Sequence, residues 1–417
     1  MIHIGGVSAA ELVSEYGTPL YVLDEESLRQ RCRTYTDTLA AHYPGESLAI
    51  YAGKAGLTTG IAKRVSDYGF GIDVVSGGEI HTVLEAGIDT ERLYFHGNNK
   101  AMDELALAIE KNIRIIVDNE TELDRIIDLS KSAKSAVRVL IRLKPEIDAH
   151  THEYIKTGQL DSKFGVDKRD VPNLVKKIQA VATVEFLGIH AHIGSQIFDA
   201  KPFNELGVLM AEEAEKIRNA TGVELKEMNI GGGLGIPYLE SENAPNISEV
   251  LATMLQSITQ SFQERNMPLP KLIIEPGRST IATAGVTLYT VGTIKKIPEI
   301  RDYLFIDGGM ADNPRPIMYQ AEYTMAIANK ANQSCDHKYA IAGRFCESGD
   351  ILAKDVPLPE AELDDIIIVY GTGAYNYAMA SNYNRFPRPA WVSVDNGKVS
   401  TLVRRESYAD LVQNDVL

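Results

Sequence analysis

Lys54 closes Tyr51-Ala52-Gly53-Lys54 directly after the apolar run Leu48-Ala49-Ile50, so an amine sits where a buried strand meets its loop. Such an amine is a candidate Schiff-base former, because a lysine in apolar surroundings shifts its pKa readily. A solvated, inert side chain is the plainer alternative. His190-Ala191-His192 places two imidazoles on one face of a strand, with Ser195 just beyond. Zinc uses pairs of this kind, but no further Cys or His cluster offers the remaining ligands, which favours core packing or aromatic stacking over a metal site. In Ile230-Gly231-Gly232-Gly233-Leu234-Gly235 the glycines let backbone N–H groups approach an anion. The spacing matches neither the dinucleotide fingerprint nor the P-loop, and a tight turn would read the same way.

Ile273-Ile274-Glu275-Pro276-Gly277-Arg278 brings a carboxylate and a guanidinium to the end of another strand. The carboxylate could hold a heteroaromatic nitrogen in its protonated form; an ion pair between Glu275 and Arg278 is the alternative. Gly343-Arg344-Phe345-Cys346-Glu347-Ser348-Gly349-Asp350 groups a thiol with acidic residues, where cysteine is otherwise most often a small buried hydrophobe. Gly371-Thr372-Gly373-Ala374-Tyr375-Asn376-Tyr377 reads as a turn exposing aromatic hydroxyls or as an ordinary loop.

These residues need elements to hold them. Short apolar, β-branched runs recur at Leu48–Lys54, Gly71–Ser76, Leu93–Gly97, Ile113–Asn119, Ala136–Lys144, Val184–Gly194, Met228–Gly233 and Leu272–Arg278. Amphipathic segments such as Asp103–Ile109 and Glu120–Leu129 lie between them, apolar at helical spacing after acidic starts. Roughly eight strands alternating with helices is the count of a (β/α)8 TIM-like barrel. An open doubly wound sheet would alternate likewise, but the polar and glycine-rich residues cluster just after successive strands, where barrels build their sites. From about Ala284 the pattern changes to runs such as Val286-Thr287-Leu288-Tyr289-Thr290-Val291, which predicts a mainly antiparallel β-domain. Pro19-Leu20-Tyr21-Val22-Leu23-Asp24 lies outside the barrel count and is expected to pair with that domain. The expected division is a barrel over 31–283 and a β-domain from 1–30 and 284–417.

Composition narrows the function. The chain has 417 residues, enough for two domains, and a 44% hydrophobic fraction ordinary for a soluble protein. Its formal net charge of -15 argues against a nucleic-acid partner, so an anionic substrate must be captured by local arginines. Three cysteines, Cys32, Cys335 and Cys346, are too few and too scattered for a disulfide framework, and a reducing cytoplasm is expected. The first residues, Met1-Ile2-His3-Ile4-Gly5-Gly6, do not read as an export signal, and no stretch reaches membrane-spanning length.

Taken in order, these motifs resemble the fold type III pyridoxal-phosphate decarboxylases, which pair an alanine racemase-like barrel with a β-domain; the resemblance covers nearly the whole chain. Asp148-Ala149-His150-Thr151-His152-Glu153-Tyr154-Ile155-Lys156-Thr157-Gly158 with Ser162-Lys163-Phe164-Gly165 is similar to the diaminopimelate branch rather than to the ornithine or arginine enzymes. Cys346-Glu347-Ser348 points the same way, since the ornithine enzymes commonly carry aspartate after the cysteine. Two departures are visible: Gly56 stands where asparagine is common, and Asn384-Arg385-Phe386-Pro387-Arg388 differs slightly from the usual ending.

The resemblance implies pyridoxal 5'-phosphate bound as a Schiff base to Lys54, with His192 stacked on the ring and Asp73 beside it. It implies Ser195, Gly232, Gly233, Gly277, Arg278 and, from the β-domain, Tyr375 around the phosphate. Glu275 would pair with the ring nitrogen and keep the ring cationic, where alanine racemase resembles a different solution with arginine. The substrate, an amino acid, would have its distal carboxylate clamped by Arg278, Arg315 and Tyr319 and its distal ammonium met by Glu347, with Tyr375 close by. Cys346 would donate the proton to Cα, reaching the site from a neighbouring subunit, so a homodimer with shared active sites is implied. A related decarboxylase acting on carboxynorspermidine, ornithine or arginine is the enzymatic alternative, and a non-catalytic binding protein of the same fold the alternative of another class. Loss of chemistry would show as a missing Lys54, Cys346 or Glu275, and all are present.

Overall fold

The computed structural model describes residues 1–147 and 163–417. Residues 148–158 and Ser162, which carry much of the diaminopimelate resemblance, lie outside the described residues. The described residues form two compact units: Arg31–Ile236 with Ala244–Ser279, and Met1–Gln30 with Pro237–Asn243 and Thr280–Leu417.

The first unit is a closed barrel of eight parallel strands. In chain order they are Ser47–Ala52, Gly71–Val74, Leu93–Phe95, Arg114–Val117, Val137–Arg142, Val184–His190, Glu227–Asn229 and Lys271–Ile274, the last pairing with the first. Most of their residues are buried, several strands completely. Burial on both faces is why the sequence shows near-continuous apolar runs rather than alternation. Inside, Ile50, Tyr94, Ile116, Leu140, Leu187 and Ile273 pack as one layer. Toward the strand starts, Glu227 accepts from Tyr94 Oη at 2.9 Å and Arg114 Nε at 2.8 Å, so this buried carboxylate is paired. Glu122 is likewise held by Lys100, whose Nζ donates to it at 2.7 Å and to the carbonyls of Gly97 and Ile116 at 2.8 and 2.7 Å. All three N–H donors of that buried ammonium are therefore used.

The helices begin where the chain supplies caps. Ser76 caps Gly77–Glu85, Asn119 caps Glu120–Ser130 and Asn246 caps Ile247–Glu264, each side chain accepting a backbone N–H of the first turn. The segment read as helical at Asp103–Ile109 is the helix Met102–Glu110, whose Glu104 returns to the amide of Ala101 at 2.9 Å.

The second unit is built on a nine-stranded sheet. Its long strand Gly285–Ile297 pairs antiparallel with Arg301–Ile306, with Ile366–Tyr370 and with Leu20–Asp24. The early strand Leu20–Asp24 thus joins this sheet as expected, and its other neighbour, Ala390–Asp395, runs parallel to it. One further pairing, Arg301–Ile306 with His337–Ala342, is also parallel, and the remaining pairs are antiparallel. Leu20, Val22, Val286, Leu288, Ile366, Ile368, Val392 and Val394 form its core.

Candidate active site

The ends of the barrel strands converge on one carboxylate. Glu275 directly follows Lys271–Ile274 and is 8% exposed. Its Oε1 accepts from Asn229 Nδ2 at 2.7 Å, at the end of Glu227–Asn229. Its Oε2 lies 3.3 Å from Nε2 of His190, the last residue of Val184–His190. His96, the residue after Leu93–Phe95, brings its Nε2 to 2.8 Å from Oε1, within ion-pair distance although not aligned as a hydrogen bond. The two imidazoles meet edge to face at 4.8 Å. Burial pushes the Glu275 carboxyl up, but His96 and His190 outweigh it and hold the group well below the usual carboxylate range. His190 itself is lowered to about 4 by burial, against the pull of Glu275. Above that pH its contribution to Glu275 is a donated N–H rather than a full charge. Among the described residues His96, His190 and Glu275 have donor atoms within 4.8 Å of one another, close enough for a metal ion, but both Nε2 atoms already face the carboxylate.

Lys54 lies in the single turn Gly53–Ala55 that follows Ser47–Ala52, with its side chain exposed. The turn can press on the neighbouring strand because residue 53 is glycine: a Cβ there would stand 2.7 Å from the Asp73 carbonyl oxygen. The Lys54 charge is felt by Asp73, Glu79 and His192. Asp73 is lifted to about 6, first by burial and then against the opposing charge of His96, and its Oδ1 is buried without a hydrogen-bond partner. Glu79 is raised to about 7 by burial while its Oε2 accepts the Val75 amide at 2.7 Å. His192 is driven far below its ordinary value by burial, with the charges of Lys54 and Arg142 adding to the effect.

An anion cradle adjoins these groups. Ser195 Oγ accepts from Arg278 Nε at 3.2 Å and from a terminal guanidinium nitrogen at 3.1 Å. Gln196 follows in the left-handed region at φ 59, a conformation that ordinary residues hold only where surrounding structure enforces it. Gly232 allows the closest approach in the cradle, since a Cβ there would fall 2.1 Å from the Glu275 carbonyl oxygen. Gly233 has φ 124 and Gly277 packs on Ala52. The pairing left open between Glu275 and Arg278 is thus resolved: Glu275 turns to Asn229 and the histidines, and Arg278 to Ser195.

In the other unit, Arg315, Tyr319 and Tyr375 come together. Arg315 is buried, donates to Tyr323 Oη at 2.6 Å, and lies 5.0, 5.8, 6.0 and 6.0 Å from the ring centroids of Tyr238, Tyr323, Tyr319 and Tyr375. Tyr375 holds φ 64 within its turn. Cys346 and Glu347 instead occupy an exposed turn, the Cys346 amide donating to Asn384 Oδ1 at 2.9 Å and the Glu347 carboxylate accepting from Tyr383 Oη. Asp350 braces that turn by accepting the amides of Phe345 and Met310 at 2.9 and 2.7 Å.

Sequence reasoning missed His96 and Asn229. Each stands at or one residue past the end of a barrel strand, and that position was the available signal.

Residues 25–282 match the pyridoxal-binding domain of the pyridoxal-dependent decarboxylases, the class to which this barrel and its site belong. Diaminopimelate decarboxylase of Synechocystis is 47% identical over 424 residues, covering 100% of this chain and 90% of its own. The structure of diaminopimelate decarboxylase from M. jannaschii in co-complex with L-lysine matches with a TM-score of 0.92 at 33% identity, covering 100% of this chain and 96% of that one. The Helicobacter pylori enzyme complexed with L-lysine matches with a TM-score of 0.88 at 32% identity, covering 97% and 98%. The chain belongs to the diaminopimelate decarboxylase family.

The residues present fit pyridoxal phosphate. A lysine amine, an ionised carboxylate, a Ser195–Arg278 cradle with closely approaching glycines, and the buried unpartnered Oδ1 of Asp73 supply donors and acceptors for an aldehyde, a ring nitrogen and a phosphate.

Proposed function

We infer that the protein removes carbon dioxide from meso-2,6-diaminopimelate to leave L-lysine, the last step of lysine biosynthesis, using pyridoxal phosphate. The observation that carries this reading is full-length likeness to diaminopimelate decarboxylases, two of them solved with L-lysine, the product of that reaction.

Bound pyridoxal phosphate supplies a ring that accepts the electrons released when the carboxylate leaves. The remaining work falls to the chain's own side chains. Lys54 Nζ is assigned as the amine that holds the cofactor aldehyde and reclaims it when product departs. Ser195, Gly232, Gly233, Gly277, Arg278 and Tyr375 are assigned to the phosphate, His192 and Asp73 to the ring, and Glu275 to holding a proton at the ring nitrogen. Arg278 and Arg315 with Tyr319 take the distal carboxylate of the substrate and Glu347 the distal ammonium, and Tyr375 is also assigned to the substrate. Cys346 delivers the proton to Cα. Two acidic termini on the substrate explain why a chain of net charge -15 needs these particular arginines. Ornithine and lysine lack the distal carboxylate and would leave them unpaired, which a polar site converts into strong discrimination.

In this reading Cys346 and Glu347 serve the barrel of a second copy, the β-domain supplies the dimer contact, and the active form is a cytoplasmic homodimer. Complementation tests it. Lys54→Ala and Cys346→Ala proteins, each inactive on diaminopimelate, should on mixing and reassociation regain up to about a quarter of wild-type turnover, because a hybrid of two-fold symmetry holds one intact site. Mixtures as inactive as the parents would contradict the shared site.

A further inference from the structure

Among the described residues around Glu275, His96 is a polar side chain that no assigned role uses. His96 is 6% exposed, and its backbone N–H is fixed to the Val74 carbonyl at 2.8 Å, tying it to the strand that carries Asp73. Its Nε2 reaches 2.8 Å from Glu275 Oε1, the oxygen that also accepts from Asn229, while His190 Nε2 lies 3.3 Å from Oε2. Three strand ends therefore converge on the carboxylate that a fourth carries, and the His96 ring is braced edge-on against His190.

Resting on the function read above, we propose that His96 is a positioning residue that, with His190 and Asn229, sets the orientation and ionisation of Glu275 toward the ring nitrogen of pyridoxal phosphate.

The physical argument concerns a buried carboxylate. Without partners, such a group takes up a proton rather than bear its charge in a poor dielectric. A neutral Glu275 could not stabilise a protonated ring nitrogen, and the ring would lose its strength as an electron acceptor. The other charges near Glu275 do not substitute for His96. Asp73 repels its anion, while Arg142 is shared with Asp118 at 3.9 Å and burial keeps His192 neutral. Asn229 is a neutral donor, and it reaches Oε1 alone. His96 is thus the imidazole that stands against Glu275 on the Oε1 side, 2.8 Å away and held by its backbone bond to Val74 and its edge-on contact with His190. Its contacts run to Glu275, His190 and the Val74 carbonyl rather than to the Ser195–Arg278 cradle, so phosphate and substrate recognition should survive its loss.

The test uses the cofactor-loaded enzyme with His96→Phe and His96→Met, which remove the ring nitrogens by different shapes, and His96→Gln, which restores an N–H donor. For Phe and Met, kcat on diaminopimelate should fall at least about tenfold, the rate equivalent of about one pH unit lost from the interactions that keep Glu275 ionised. KM should change less than about threefold, since binding common to ground and transition state is untouched. The visible absorbance of the bound cofactor should shift in band position or in its pH profile, a readout that a role in packing alone would not move. His96→Gln should recover most of both. Phe and Met variants with wild-type kcat and an unchanged spectrum would overturn the proposal, as would a Gln variant no better than Phe. If neither Phe nor Met folds, a Gln variant with its spectrum and kcat intact while His96→Asn, too short to reach, loses both keeps the proposal; equal behaviour of Gln and Asn overturns it. Failure of the wild type to act on diaminopimelate would instead overturn the assigned function and leave the spectral comparison standing.

Discussion

At the scale of single residues, the site holds buried charge at a cost to the fold. Burial, opposed by His96, lifts Asp73 from 3.8 to about 6 in the folded chain. Between those values the native protein holds a proton that the unfolded chain has released, so stability falls as pH rises from about 4 to 6 and the loss persists above. At about 1.4 kcal/mol per pH unit this amounts to roughly 3 kcal/mol at pH 8. Asp73→Asn removes the titration. In urea denaturation of the cofactor-free protein, the variant should be more stable than wild type at pH 8, and its advantage should shrink toward zero near pH 4. A gap independent of pH would contradict the assignment. Lys54, Glu275 and the glycine turn were legible as candidates because each stands at a strand end. What was not legible was partnership: nothing in the spacing of His96, His190, Asn229 and Glu275, spread over some 180 positions, says that their side chains meet. Closure of the barrel brings them together.

At the scale of elements, each of the eight barrel strands was visible as an apolar run, and so was the strand at Leu20 that joins the other sheet. Buried parallel strands have no polar face, and the run itself is then the signal. Register was not visible. Val184–His190 pairs with Val137–Arg142 through a shift between Val139 and Leu140, and Gly188 stands opposite Glu227 on the next strand. A Cβ at Gly188 would fall 1.7 Å from the Glu227 carbonyl oxygen, so strands cannot approach here unless this position is glycine. Gly188→Val should destabilise the barrel by about 3 kcal/mol or more, since backbone has no rotamer by which to yield. Thermal melting measures it, and a melting temperature within a degree or two of wild type would refute the packing argument. The same shift of register sets where His190 ends its strand, which links the glycine to the reach of the imidazole toward Glu275.

At the scale of the molecule, likeness to diaminopimelate decarboxylases extends over the whole chain rather than over the barrel alone. The barrel carries an exposed amine, a buried ionised carboxylate and a serine–arginine pair; the sheet unit carries a buried arginine among tyrosines and an exposed thiol beside a glutamate. Among the described residues no helix is long and apolar enough to cross a membrane. Composition set the overall negative charge but could not locate the arginines; around Arg315, Tyr319 and Tyr323 are near in sequence, but Tyr238 and Tyr375 come from loops far from it, and no spacing announces that they meet. The most direct test of the central claim is carbon dioxide release from meso-diaminopimelate with and without added pyridoxal phosphate, run beside ornithine, arginine and carboxynorspermidine and repeated with Lys54→Ala. The expected result is cofactor-dependent release from diaminopimelate alone, with Lys54→Ala below about 0.1% of wild type. Release from ornithine, arginine or carboxynorspermidine at a comparable rate would contradict the assigned specificity, and full activity of Lys54→Ala or of the cofactor-free protein would contradict the chemistry.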